Sequence, residues 1–110
     1  MSILSVVEAQ FDAYNAQDLD AYCGYFTDDV IVADYNGAIT RQGMDAYRTA
    51  YAGTFGQFPQ NKAILVSRMV VGNTVIDHEK VVRGPEGPEF EVAAIYTFRD
   101  NKICRVDFIR

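Results

Sequence analysis

The chain predicts an α+β fold in which three helices in the first half pack on a highly curved, mostly antiparallel sheet. Three observations carry that expectation. Apolar residues recur at helical spacing at Leu4, Val7, Phe11 and Tyr14, and again at Met44, Tyr47, Tyr51 and Phe55. After Pro59 the chain turns to long segments rich in β-branched and aromatic residues. Gly72-Asn73 and Asp100-Asn101 join those segments as two short hairpins. Helices that precede a run of strands, without alternating with it, are the order of an α+β domain.

The first helix should end near Ala16. Asp18 can cap a second, short helix with Leu19, Tyr22, Cys23 and Phe26 on its inner face, and Thr27-Asp28-Asp29 ends it. The run Val30 to Tyr35 reads as a strand, turning at Asn36-Gly37 into a second short segment before Gly43. The third helix follows. Four strands complete the chain: 61–71, 74–84, 90–99 and 102–110, with the Pro- and Gly-rich 84–89 breaking the middle pair. A bent sheet closed by helices on its concave side leaves a cone-shaped cavity, a favoured place for small ligands.

At 110 residues, with no linker or repeat, residues 1–110 form one domain large enough for a core of its own. The net charge of −5 repels phosphates, which argues against nucleic acid and anionic membranes as partners. No segment approaches the length of a membrane span. Residues 1–12 have no positive leading region, and Glu8 interrupts their apolar run, so a cytoplasmic protein is expected. Cys23 and Cys104 are far apart, and the single histidine belongs to no ligand cluster, so no metal site is expected.

Chemistry-bearing residues stand at three places. Asp34 closes an apolar strand, either to start the turn "DYNG" or as an acid at the mouth of a pocket. Tyr96 shares one strand face with Val92, Ala94 and Phe98, as a core aromatic or a cavity hydroxyl. The segment "IDHEK" sets Asp77 and Glu79 on one face and His78 and Lys80 on the other, with apolar neighbours on both. Asp77 and Glu79 could form a solvated, salt-bridged face, or Glu79 or His78 could complete an acid–base pair with Asp34.

The string "YNAQDLDAYCGYFTDDVIVADY" resembles the Asn-Ala-x-Asp-x-Asp…Phe-x-Asp-Asp-x-x-x-x-Asp signature of the NTF2-like superfamily. It is most similar to the SnoaL-like and ketosteroid-isomerase-like branch, whose third helix and final hairpin "GMDAYRTAYAGTF" and "AAIYTFRDNKICRVDFIR" resemble. The resemblance spans nearly the whole chain. It implies the NTF2-like cone, with Asp34 at the position of the proton-shuttling aspartate. Gln10 then replaces a tyrosine, and Tyr96 a protonated aspartic acid, in the oxyanion hole. It weakly favours Asp77 and Glu79 facing inward and brings Arg110 toward the cavity mouth.

The candidate catalytic residues are thus Asp34, Tyr96, Gln10, Glu79 and His78. Tyr14, Tyr51, Phe55, Asp77, Ala94, Phe98 and Phe108 are candidates for substrate contact. The implied activity is cofactor-independent isomerase or cyclase chemistry beside a carbonyl of a small hydrophobic ligand. A non-catalytic ligand-binding or dimerisation domain is the alternative on the same scaffold. An apolar outer sheet face including Ile95, Ile103 and Ile109 calls for a homodimer.

Overall fold

A computed structural model describes residues 2–110. Three helices, α1 (Ile3–Ala16), α2 (Leu19–Gly24) and α3 (Met44–Gln57), accompany six strands. These are β1 (Phe26–Asp34), β2 (Ile39–Gln42), β3 (Lys62–Val71), β4 (Thr74–Val82), β5 (Glu89–Arg99) and β6 (Lys102–Ile109). They form one sheet in the order β2-β1-β6-β5-β4-β3. All neighbours are antiparallel except β1 and β6, which run parallel. The helices cover one face of this curved sheet, and their buried residues merge with those of the strands into a single core. The α+β architecture read from the sequence, three helices on a curved, mostly antiparallel sheet, is the one found.

Local chemistry accounts for the element ends. Ser2 caps α1 by accepting from the Ser5 amide, and Asp18 caps α2 through the Ala21 amide at 3.2 Å. Asp100 and Asn101 both take left-handed φ angles, 52° and 60°, between the paired residues Arg99 and Lys102. That is the two-residue turn whose twist suits antiparallel strands, and Asp and Asn tolerate it well.

Three details depart from the sequence expectation. The buried line of α1 runs through Val6, Val7, Gln10 and Ala13, while Leu4 is exposed. The helix can present polar Gln10 inward because its amide donates to the Val7 carbonyl at 3.1 Å and to Tyr96. Phe26 belongs to the start of β1, not to α2: the Ile103 amide bonds the Tyr25 carbonyl at 2.9 Å, tying the chain to β6 as soon as the helix ends. Ile103 is fully buried in the core and is not on the outer face. The cause is a β-bulge: Phe98 pairs with Ile103 but Thr97 pairs with Arg105, so Ile103 and Val106 both point inward across the extra residue.

The outer face keeps Ile95 and Ile109 and adds Ile64, Met69, Val71 and Ile76, by register with one another and with Lys80 and Asp107. A second irregularity lies in β3, between Leu65 and Ser67. The opposite placements of two isoleucines give a direct test of the bulge. Ile103→Ala should cost about 2–5 kcal/mol in urea denaturation, whereas Ile109→Ala, measured at a concentration where the chain is a monomer, should cost less than about 1 kcal/mol. Equal costs would contradict the assigned register.

Candidate functional site

Between the helices and the inner face of the sheet lies a cavity of about 200 Å³. Tyr14 from α1, Tyr22 from α2 and Tyr47 and Tyr51 from α3 form its helical wall. Edge-to-face contacts link them, as between Tyr22 and Tyr51 with centroids 5.0 Å apart. The Tyr22 and Tyr47 hydroxyls hydrogen-bond each other at 2.7 Å. Burial, reinforced by neighbouring phenols, pushes both well above the ordinary tyrosine range, so they act as neutral hydrogen-bonding groups.

The sheet wall carries the titratable chemistry. Period two along β4 turns Val75, Asp77, Glu79 and Val81 inward, and all four are buried. The two carboxylates are treated differently. Arg68, directly opposite Asp77 on β3, grips it through two bonds of 2.7 and 2.9 Å, a bidentate charge-assisted pair. Glu79 has no cation partner among the described residues; it accepts from the Tyr96 hydroxyl at 3.4 Å. Burial first, and the charge of Asp77 second, push the Glu79 carboxyl up to about 7, against a smaller opposing pull from Tyr96 and Arg68.

Tyr96 is itself fully enclosed, and burial beside Glu79 raises its hydroxyl well above its usual range. The Gln10 amide donates to the Tyr96 oxygen, also at 3.4 Å. Gln10, Tyr96 and Glu79 therefore form a line from α1 across β5 to β4. Both contacts are long for hydrogen bonds, which leaves the tyrosine hydroxyl available to a third partner.

Of the expected residues, Gln10, Tyr96 and Glu79 are brought together, and Tyr14, Tyr51 and Phe108 line the cavity. Asp77 lies inward but is sealed against Arg68, outside the lining. Ala94, Phe98 and Phe55 are buried in the core and do not line the cavity either. His78 points to the outer face, where Nε2 meets Glu91 at 2.8 Å, because it alternates with inward-facing Asp77 and Glu79. Asp34 is half-exposed and paired with Arg110 at 2.6 Å. It also starts the turn: its carbonyl accepts from Gly37 at 2.8 Å. Arg110 lines the cavity while Asp34 does not, so the acid stands at the rim.

Two charged lining residues were missed in the sequence. Arg41 and Arg83 face the cavity, and Asn61, fully buried behind it, holds Arg83 through its side-chain oxygen at 2.9 Å. A signal for Arg83 existed: continuing the inward period from Glu79 and Val81 by one step reaches it. No group of three potential metal ligands occurs among the described residues. No helix there is long and apolar enough to cross a membrane.

The raised Glu79 carboxyl links protonation to folding. The folded chain holds this proton up to about pH 7, whereas an ordinary carboxyl releases it near 4.5. Its contribution to stability is therefore complete below pH 4.5 and is lost as pH rises through 7. Relative to Glu79→Gln, the parent should lose up to about 3 kcal/mol between pH 4 and pH 8, read by urea denaturation of both proteins. A pH-independent difference between the two would show an ordinary carboxyl.

Comparison with known proteins follows the same lines. A crystal structure of an uncharacterized cystatin-fold protein from Novosphingobium aromaticivorans is 41% identical, with 100% of this chain and 99% of that one aligned and a TM-score of 0.93. A proposed polyketide cyclase from Sinorhizobium meliloti is 25% identical over 99% of this chain and 100% of that one, at a TM-score of 0.80. An epoxide hydrolase of the LEH-like type from M. tuberculosis shares the fold at 18% identity and a TM-score of 0.81, over 96% of this chain and 80% of that one. No curated protein matches. The SnoaL-like domain matches residues 7–106, and the chain belongs to that family.

Proposed function

We propose that the chain is an acid–base enzyme acting beside the carbonyl of a small, largely apolar substrate. One observation carries the reading: a buried carboxyl poised near pH 7, without a cation partner, opens on a cavity walled by aromatic rings. A general base works best when its pKa lies near the operating pH. Glu79 removes a proton from the carbon next to the carbonyl and returns it at another position. Tyr96 donates a hydrogen bond to the carbonyl oxygen as it gains negative charge, and Gln10 holds Tyr96 in line. Isomerisation, or ring closure by the enolate carbon, requires those two functions, and the proposed polyketide cyclase among the structural relatives is consistent with either. The base is assigned to Glu79 and not to Asp34 because Asp34 is half-exposed and neutralised by Arg110.

A second reading has its own support. The rim pair of Asp34 with Arg110 occupies the residue at the family's base position, which suits a ligand-binding domain without turnover. The two readings separate by α-proton exchange into D2O on a panel of cyclic ketones, followed by NMR. Glu79→Gln should slow exchange by about 10²–10⁴-fold, and Tyr96→Phe by about 10²–10³-fold. Asp34→Asn should change it by less than about threefold, within the range of surface substitutions. Absence of exchange in the parent across the panel favours the binding domain.

We further infer a homodimer through the outer sheet face and a cytoplasmic setting. Met69, Ile76, Ile95 and Ile109 form an apolar band on that face, flanked by the ion pairs His78–Glu91, Lys80–Glu89 and Arg105–Asp107. An apolar centre with a polar rim is the anatomy of an interface. Cys23 and Cys104 are free thiols, as a reducing compartment would keep them. Light scattering should give twice the chain mass for the parent and a monomer for Ile95→Lys. A monomeric parent at micromolar concentration would remove the dimer.

A further inference from the structure

The cavity holds an excess of positive charge in a chain whose net charge is −5. Three arginines line it, Arg41, Arg83 and Arg110, against a single carboxyl, Glu79. Asp34 neutralises Arg110 at 2.6 Å. Among the described residues Arg41 and Arg83 have no carboxylate within salt-bridge distance.

Arg83 is the most constrained of the three. It is half-buried, and its guanidinium lies 5.4 Å from the Phe58 ring centroid and 5.1 Å from that of Phe90. Its Nη1 donates to the side-chain oxygen of fully buried Asn61 at 2.9 Å and contacts the Tyr14 hydroxyl at 3.4 Å. Asn61 in turn donates to that hydroxyl at 2.8 Å. Aromatic faces and neutral acceptors fix the orientation of the fork without cancelling its charge. A half-buried guanidinium held in this way is prepared for a planar, bidentate anion.

From these observations we propose that the ligand bears a carboxylate that binds Arg83, with Arg41 adding charge at the mouth, while its opposite end reaches Glu79. Glu79, Val81 and Arg83 lie on one inward-facing line of β4 and its extension, so the two charged positions are about 13 Å apart by strand rise. That spacing sets an upper bound on the ligand, which is then an organic acid whose carbonyl and carboxylate lie at its two ends. Keto acids therefore enter the cavity in one direction, the carboxylate toward Arg83. The anion contact stands on the geometry of Arg83 alone; the placement of the reacting end rests on the role proposed for Glu79.

Two probes of one skeleton test this, 4-oxo-4-phenylbutanoate and its methyl ester, with binding measured by titration calorimetry. The acid should bind at least tenfold tighter than the ester. Arg83→Gln should abolish that preference and leave the ester unchanged, and Arg83→Lys, which keeps the charge and loses the fork, should retain part of it. Equal affinities in the parent, a variant that weakens both probes alike, or no binding of either at millimolar concentration would overturn the proposal. Repeating the titration with Glu79→Gln distinguishes the two ideas. An acid preference that persists there, beside absent proton exchange in the parent, keeps the carboxylate site and removes the catalytic role; exchange without an acid preference does the reverse.

Discussion

The Arg68–Asp77 fork governs the electrostatics of the whole inner face of β4. Two carboxylates two residues apart on a buried strand face would normally repel, and both would be costly to ionise. Arg68 reaches across from the neighbouring strand and grips one of them through Nε and Nη2, one donor to each carboxylate oxygen. The charge of Asp77 beside it is one of the reasons that Glu79 keeps its proton toward neutrality. A structural ion pair and a titratable group are thus two parts of one arrangement. The arginine partners the first and is close enough to moderate the second.

Tyrosines on both walls of the cavity complete that arrangement with groups that hydrogen-bond but do not ionise. Tyr22, Tyr47 and Tyr96 are all driven above their ordinary range by burial, so the cavity offers hydroxyls with stable protons around a carboxyl with a labile one. Such a setting directs where charge can develop. In the reaction proposed for Glu79, an anion arising in the ligand would meet phenolic donors, while the proton lost would have one ready acceptor. The arginines sit farther out, toward the opening, where a charged group can stay partly hydrated.

The fold was legible in the sequence because its signals are local. Helical stripes, the cap at Asp18, and the turn residues Gly72-Asn73 and Asp100-Asn101 at the hairpin tips each act within a few residues. The site was legible in part. Gln10, Tyr96 and Glu79 could be named from the residue pattern and the family resemblance, and they meet in space. Ile103 was misplaced because a bulge shifts the period by one residue, and nothing in the residue types around Cys104 announces it. Asp34 illustrates a different limit. Its position matched a signature, but whether a strand-end carboxylate turns into a cavity or pairs at the rim depends on Arg110, 76 residues away in sequence. Arg83 was overlooked for a different reason: it stood at the end of the expected strand 74–84, and the inward period was followed only as far as Glu79.

The irregularity in β3 has a consequence for solubility. An open six-stranded sheet has two free edges; β2 is a four-residue edge, but β3 presents ten residues, with Ile64, Leu65, Val66, Met69, Val70 and Val71 all exposed. A long, flat, apolar border of unpaired amides and carbonyls is a template on which strands of other molecules can grow. The break in register at Val66 interrupts that template near its middle, twisting the two halves out of a common plane. One extra residue in the outermost strand thus divides the exposed edge into two shorter segments, neither long enough to present a regular row of pairing sites.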